Sequence, residues 1–350
     1  MYKFAGLFLI LTVGHAADLT VGTAVAKSGQ RATGFIQVSA GADAAASIPV
    51  IVINGASAGP KLALVAGSHG TEYASIVALS KLAQSVDPAQ LKGALVIVPL
   101  VNVASFLQKV PHLNPIDNKN MNRLYPGKPD GTQTERTSWE IGKQVVEKCD
   151  YLIDLHGGDL DENLRRYTYW ADTGNPKLDA PSKGMVLAFG FDHIVIQRPR
   201  ANAPRPPGAT SAISRFAQDR GKPSITAEAG HAGTSSTEDV DALMRGCTNV
   251  MRFLKMLPGT VVPVEKPLWI ARYSTVVSEQ EGIFYPLAVP EEYVQKGAKI
   301  GYVTNYFGQT IWDVTSPISG VVLYICAVPS MKKGDSIGYI GELADAAGAQ

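Results

Sequence analysis

From Lys61 onward, uninterrupted apolar runs alternate with segments whose apolar residues recur every three or four positions. The runs "KLALVAG", "GALVIVPL", "YLIDLHG", "HIVIQ" and "SITAEAG" are too short for helices and predict strands. Because they are continuous and not alternating, they predict a sheet covered on both faces. The intervening "YASIVALSKLAQSV", "TERTSWEIGKQVVEK" and "EDVDALMRGCTNVMRFLKML" have helical period and supply the covering layers. The expected class is therefore α/β, a mixed sheet covered by helices. Before this region, residues 17 to about 60 predict short strands, "TGFIQV" and "SIPVIVINGA", separated by small-residue turns. The last helical pattern stops at Pro258-Gly259, a natural boundary.

Beyond that boundary the helical period vanishes, and residues 263–345 predict a small all-β domain after a catalytic domain spanning 17–262. Two segments in it repeat: "VQKGAKIGYV" at 294–303 and "MKKGDSIGYI" at 331–340. Such a pair predicts two pseudo-symmetric halves. The pattern resembles the barrel-sandwich fold of lipoyl and biotinyl carrier domains. Those carriers present a modifiable lysine on an exposed hairpin, whereas the corresponding "VTSPISGVV" contains none. A structural element or a wall of the active site is the expected role, not a swinging arm.

The opening residues change the picture of location. Lys3, the apolar run Phe4–Val13 and the small-residue site Gly14-His15-Ala16 have the order of a secretory signal peptide, residues 1–16. An exported protein, periplasmic or secreted, is expected, with no stable membrane anchor because the run is too short to span a bilayer. Lys+Arg 32 against Asp+Glu 31 leaves a net charge of +1 and no basic block, which gives nucleic-acid binding no electrostatic support. A small molecule or peptide is the expected partner. The cysteines, Cys149, Cys247 and Cys326, are an odd number at wide spacing and read as buried small hydrophobes.

Chemistry concentrates where the apolar strands run out. His69 and Glu72 form H-x-x-E after "LALVAG", and His156 ends "YLIDLH". In open α/β sheets the carboxyl ends of strands are where ligands bind. Two imidazoles and a carboxylate with an open fourth position are the usual protein share of a catalytic Zn²⁺. Helix capping by Glu72 and a hydrogen-bonded core histidine explain either piece alone. Glu228 ends "SITAE", flanked by apolar neighbours, where a carboxylate is costly to bury without a task; a general base for a metal-activated water is such a task. The turn-rich "NPIDNKNMNRLYPG" offers Asn120, Asn122 and Arg123, suited to grip a carboxylate and orient a carbonyl. Asp154 lies on the same strand face as His156 and is a candidate partner for its second nitrogen.

"SHGTE", "VNVASF", "PIDNKNMNRLYPG", "DLHGG" and "TAEAG", in this order, resemble the succinylglutamate desuccinylase/aspartoacylase family, the deacylase branch of the zinc carboxypeptidase fold. The resemblance covers most of residues 48 to 340. It implies that His69, Glu72 and His156 bind one zinc per chain, that Glu228 is the base and proton shuttle, and that Asn122 with Arg123 clamps the substrate carboxylate. The implied activity is hydrolysis of an N-acyl amino acid or related small amide. One departure concerns the electrophile: relatives often carry an arginine a few residues before Pro-x-Asp-Gly, where this chain has "VPHLNPIDN", with His112 near that place and Asn118 for the glycine. His112 is the candidate substitute. Two rivals stand beside the deacylase: an exported zinc carboxypeptidase acting on peptides, possible substrates including cell-wall peptides, and a non-enzymatic metal- or ligand-binding envelope protein.

Overall fold

The computed structural model describes residues 17–198 and 209–344. The signal-peptide reading of residues 1–16 lies outside the described residues. Among those described, no helix is long and apolar enough to cross a membrane.

The catalytic region is built on strands β1 (Gln30–Val38), β2 (Ala46–Asn54), β3 (Ser57–Ala66), β4 (Lys92–Val98), β5 (Tyr151–His156), β6 (Tyr167–Ala171), β7 (His193–Gln197) and β8 (Ser224–Glu228). Their order in the sheet is β1-β2-β4-β3-β5-β8-β6-β7. The centre, β4-β3-β5-β8, is parallel, and β1, β2 and β6 bring the antiparallel pairings that make the sheet mixed. Both faces are buried, as continuous apolar strands require. Leu62, Leu64 and Ala66 of β3 enter one core, whereas Ala63 and Val65 between them enter the other. Helices α1 (Tyr73–Ser85), α3 (Pro176–Phe189) and α4 (Thr237–Phe253) cover the first face, through residues such as Leu79, Met185 and Leu243. The second face is covered by α2 (Gln133–Ile141), which continues as a wider π-type turn over Gly142–Val146, and by the short helix Ile213–Gln218.

Helix α4 ends at Phe253, short of the expected stop at Pro258-Gly259. Lys255 adopts φ +60, a left-handed conformation that no helix continues through. All three cysteines are free and buried, in keeping with their reading as small core residues.

The sheet does not stop at the end of the catalytic region. Strand β9 (Leu268–Val277) pairs in parallel with β7, and β14 (Ser336–Leu343) and β13 (Gly320–Cys326) follow it antiparallel. A second sheet of β10 (Gly282–Pro286), β11 (Lys299–Thr304), β12 (Thr310–Thr315) and the two-residue strand Ser330–Met331 packs on these through Phe284, Ile300, Val303, Ile337 and Ile340. Each copy of the sequence repeat is a two-residue strand, a turn with a left-handed glycine (Gly297 at φ +84, Gly334 at φ +96) and a long strand, β11 or β14. The repeat lysine and glycine form that turn, and the following Ile is fully buried, which accounts for the shared pattern.

The turn-rich 114–127 segment is held by the N-terminus of α2. Asp117 accepts hydrogen bonds from the Thr134 backbone N–H (2.9 Å) and hydroxyl (2.7 Å), and Asn114 donates to Gln133 (3.0 Å). Glu135 closes a capping box with Thr132 and pairs with Lys119 at 3.0 Å. The Thr132 N–H, outweighing burial and helped by Lys119, lowers the Glu135 carboxyl from 4.5 to about 2. A depressed carboxyl stabilises the fold above its ordinary value, and that contribution fades as pH falls from 4.5 towards 2. Glu135→Gln should therefore cost about 1–3 kcal/mol at pH 7, measured by urea unfolding, and the gap should close near pH 2. A gap independent of pH would contradict this.

Candidate active site

Strand β3 ends at Ala66, and Gly67 at φ +68 turns the chain into the loop carrying His69 before α1 begins. Glu72 occupies the position that caps α1, but its side chain makes no capping hydrogen bond. Both of its oxygens face imidazoles instead: Oε1 is 2.6 Å from Nδ1 of His69, and Oε2 is 2.8 Å from Nδ1 of His156. The Gly157 N–H donates to Oε2 as well, at 3.2 Å. Capping thus does not explain the H-x-x-E spacing. The three donor groups lie within 4.8 Å of one another and form a group able to hold a metal ion.

The electrostatics follow from this packing. Burial alone would raise the Glu72 carboxyl, but the charges of His156 and His69 override it and hold it at about 2. Burial works against a charged His156, and Glu72 with Asp154 overcomes it, raising that imidazole well above its ordinary value. Such a knot of acid and imidazole, each stabilising the other's charged form, is also what a divalent cation would replace. The outer nitrogens are positioned too. Nε2 of His69 lies 3.2 Å from Oδ1 of Asn120, and Nε2 of His156 lies 3.2 Å from Oδ2 of Asp154. The latter is a charge contact and not an aligned hydrogen bond, since neither Asp154 oxygen has a hydrogen-bond partner. With both Nδ1 atoms given to a metal, the Nε2–H of His69 is left to donate to Asn120, and the Nε2–H of His156 faces the Asp154 carboxylate as a charge contact.

Glu228 arrives by register. Strand β8 pairs with β5 so that Glu228 stands directly across from His156, and Thr226 across from Asp154. Adjacent strands are about 4.8 Å apart, so the carboxylate and the imidazole open onto the same end of the sheet. Its carboxyl is partly exposed to the cavity and titrates well above its ordinary value, pushed up by burial and by Glu72, Glu162 and Asp154 against the pull of His156. On the other side of β8, Tyr167 and Tyr169 of β6 sit opposite Glu228 and Thr226.

These groups line a cavity of about 390 Å³, together with Arg123. Asn122 is buried, with its amide nitrogen 3.1 Å from Nε2 of His156 and its amide oxygen accepting from the Ile213 N–H at 3.4 Å. Arg123, the exposed partner of the expected clamp, donates to the Asn122 carbonyl at 2.8 Å. His112 is not among the cavity-lining residues but stands beside His69, with ring centroids 5.8 Å apart: its backbone N–H donates to Asp159 at 2.8 Å, and its Nδ1 and Nε2 lie 3.2 Å from Asp159 and 2.9 Å from Asp161. The contact with Asp161, with Asp159 and Glu162 adding to it, overcomes burial and raises this imidazole to about 9. Asn118, where relatives have glycine, adopts φ +54, a left-handed conformation that asparagine tolerates.

Several functional candidates escaped the sequence. Asp159, fully buried, accepts from Thr71 Oγ1, the His112 N–H and the Leu160 N–H, and so ties together the loops that carry His69, His112 and the end of β5. Tyr273 and Tyr339 reach the cavity from β9 and β14, making the C-terminal β-region part of its wall. Neither has a signal of spacing: one is a polar residue in a glycine loop, and the others become neighbours only through strand pairing.

A buried His/Glu/His group, a carboxylate across from it and a polar cavity at the carboxyl ends of an α/β sheet define the machinery of an amide-cleaving hydrolase. Residues 58–254 match the family model described as the succinylglutamate desuccinylase/aspartoacylase catalytic domain, and the chain belongs to that family. It is 26% identical over 325 residues to the N-alpha-acetyl-L-2,4-diaminobutyric acid deacetylase of Halomonas elongata, covering 87% of this chain and 88% of the relative. The product-bound ectoine utilization protein EutE (DoeB) of Ruegeria pomeroyi superposes with a TM-score of 0.79 at 25% identity, over 89% of this chain and 95% of that one. A succinylglutamate desuccinylase/aspartoacylase from Rhodobacter sphaeroides shares the fold, with a TM-score of 0.78 at 23% identity, over 90% and 96% of the two chains.

Removing the Asp159 carboxylate would orphan two backbone N–H groups and release Thr71. Asp159→Ala should destabilise the chain by about 3 kcal/mol in chemical unfolding and weaken metal binding. Unchanged stability and metal affinity would exclude this role.

Proposed function

We propose that the protein is an exported zinc-dependent deacylase that hydrolyses the amide bond of an N-acyl amino acid. The observation that carries this reading is the register pairing of Glu228 with His156, which sets a base beside the His69/Glu72/His156 group. Two imidazole Nδ1 donors and a carboxylate, with no thiolate near, suit zinc with an open position for substrate or water. Zinc bound there would supply Lewis-acid polarisation of the scissile carbonyl and lower the pKa of the attacking water.

The chain's own residues do the rest. Arg123 holds the substrate carboxylate, which fixes the amide carbon over the group of ligands. Glu228 accepts the proton of the attacking water and returns it to the leaving nitrogen, so the amine departs neutral as the C–N bond breaks. Burial and the neighbouring carboxylates raise its carboxyl, which favours holding the proton between the two transfers. Asp154 and Asn120 orient the two imidazoles. The tyrosines of β6, β9 and β14 exclude bulk water from one side of the cavity. A cavity of about 390 Å³ suits a single acylated amino acid better than an extended peptide, which favours the deacylase over the carboxypeptidase. The deacetylase relative, by its name, acts on an N-acetylated amino acid, which supports the same substrate class. The signal-peptide reading of residues 1–16 supports the exported location.

Glu228→Gln should retain zinc at wild-type stoichiometry, measured by elemental analysis, while lowering kcat by about 10²–10⁴. His69→Ala and His156→Ala should lose the metal. Full turnover in the Glu228 variant, or full zinc content in the histidine variants, would overturn the assignment.

A further inference from the structure

In the proposed function the substrate is held at two points, its carboxylate at Arg123 and its amide carbon at the His69/Glu72/His156 group. The order of the strands then directs the rest of it. Asn122 and Arg123 stand on the β5 side, where the Asn122 amide nitrogen is 3.1 Å from Nε2 of His156. Glu228 is one strand further on, in β8, and Tyr167 of β6 lies directly across from Glu228. In an N-acyl amino acid the carboxylate and the acyl chain lie on opposite sides of the scissile bond. With the carboxylate on the β5 side, the acyl chain runs towards β6 and the strands beyond it.

That side of the cavity is a wall of phenols. Tyr167 and Tyr169 come from β6, Tyr273 from β9 and Tyr339 from β14, and no charged side chain of these three strands lines the cavity. The rings of Tyr167 and Tyr169 have centroids 5.3 Å apart and planes at 81°, and those of Tyr273 and Tyr339 are 5.4 Å apart at 49°. Tyr169 lies within electrostatic reach of both Tyr273 and Tyr339, which joins the two pairs across the seam between the catalytic region and the C-terminal β-region. The Tyr167 and Tyr169 hydroxyls are 3.4 Å apart and can satisfy each other. Tyr167 is buried, Tyr169 and Tyr339 are half-buried, and Tyr273 is 43% exposed, so the wall is braced at its inner end and uncovered at its outer end. Leu164 and Ala171 add apolar surface beside it.

This wall discriminates among acyl groups. An acetyl group is too short to cover it. An acyl chain ending in a carboxylate would meet ring faces, which carry negative potential, and the charges of Glu162 and Glu228, within whose electrostatic reach both Tyr167 and Tyr339 lie. The two lining guanidiniums other than Arg123 are engaged with acids, Arg198 with Asp172 at 3.0 Å and Arg215 with Asp219 at 2.8 Å. A neutral aromatic ring meets neither repulsion, and it packs edge-to-face or offset against rings already tilted to one another. A cavity of about 390 Å³ is within the size of small-molecule sites and has room for such a ring beside one amino acid.

We propose that Tyr169, Tyr273 and Tyr339, braced by Tyr167, form the acyl pocket, and that it takes an aromatic acyl group, so that the protein releases arylcarboxylic acids from N-aroyl or N-arylacetyl amino acids. This rests on the deacylase reading for its chemistry, but the recognition is testable without turnover. The reaction balances as any amide hydrolysis: water adds across the C–N bond, and an arylcarboxylate and a free amino acid leave.

The test is calorimetric binding to zinc-loaded Glu228→Gln protein, with N-acylglycines as probes so that no amino-acid side chain intervenes. The acyl groups are acetyl, benzoyl, phenylacetyl, cyclohexylacetyl and succinyl. The better aromatic probe should bind about 10- to 100-fold tighter than N-acetylglycine, the value of burying one ring's apolar surface. Phenylacetyl should exceed its saturated counterpart by about 2- to 10-fold, the share owed to ring-on-ring geometry. Tyr273→Leu, added to this background at an exposed position, keeps apolar bulk and should erase the aromatic-over-saturated preference, whereas Tyr273→Phe should retain it. Equal binding of the acetyl and aromatic probes would overturn the proposal, as would tightest binding of the succinyl or cyclohexylacetyl probe, no binding of any probe, or a preference that survives Tyr273→Leu. Hydrolysis of the same compounds by protein with Glu228 intact tests the deacylase reading separately, so failure of that reading is distinguishable from failure of the aromatic pocket.

Discussion

A carboxylate buried between two imidazoles is the constraint on which the structure turns. Glu72 is 2% exposed, and such a group is tolerated only where positive charge and hydrogen bonds meet it. The chain meets it from two strand ends, with His69 three residues before it and His156 from β5, and with the Gly157 N–H closing the arrangement. This fixes the register of β3 against β5, the conformation of the loop after β3 and the start of α1. A one-residue slip of β5 would turn His156 to the opposite face and leave Glu72 with His69 alone. Family membership, the fold and the proposed zinc chemistry all pass through this one requirement.

Much of the sheet was legible because its physics is local. The runs around Leu64 and Leu95 are continuously apolar, that around Ile153 is broken by Asp154, and the structure gives each strand two buried faces. His69, Glu72, His156 and Glu228 stood out for the opposite reason, as polar residues at the ends of such runs. Adjacency of β5 and β8 then placed Glu228 opposite His156, a pairing that no spacing in the sequence contains. Tyr167 and Tyr169 belong to a five-residue strand, β6, whose "YTYWA" is short and flanked by charges, too little for a periodic signal. Helix α3 went unread as well: it contains Pro181 and is rich in small and polar residues. His112 was read from its position in the motif, yet two carboxylates, Asp159 and Asp161, claim its nitrogens. Those acids lie more than 40 residues away along the chain, and only the fold brings them to it.

The C-terminal β-region was expected as a separate small domain, and its internal repeat is visible in the turns that Gly297 and Gly334 make. A wall for the active site was one of its expected roles, but the strand pairing that makes it one was not legible. Strand β9 extends the catalytic sheet by pairing with β7, and the short strand at Glu162 is itself completed by β13. The wall of the cavity is therefore assembled from both regions, and Tyr273 and Tyr339 are fixed by the same hydrogen bonds that join them. A substrate pocket built at such a seam can change its selectivity through the β-region without disturbing the ligands at the sheet's centre. Glu162, with an edge in each region, is where the two parts meet the cavity.

The central claim is that His69, Glu72 and His156 together hold zinc. X-ray absorption at the zinc edge of the metal-loaded protein tests it most directly. The account predicts one zinc per chain in a shell of nitrogen and oxygen only, with the scattering of two imidazoles at about 2.0–2.1 Å. A sulfur neighbour, or a shell with fewer than two imidazoles, would contradict it.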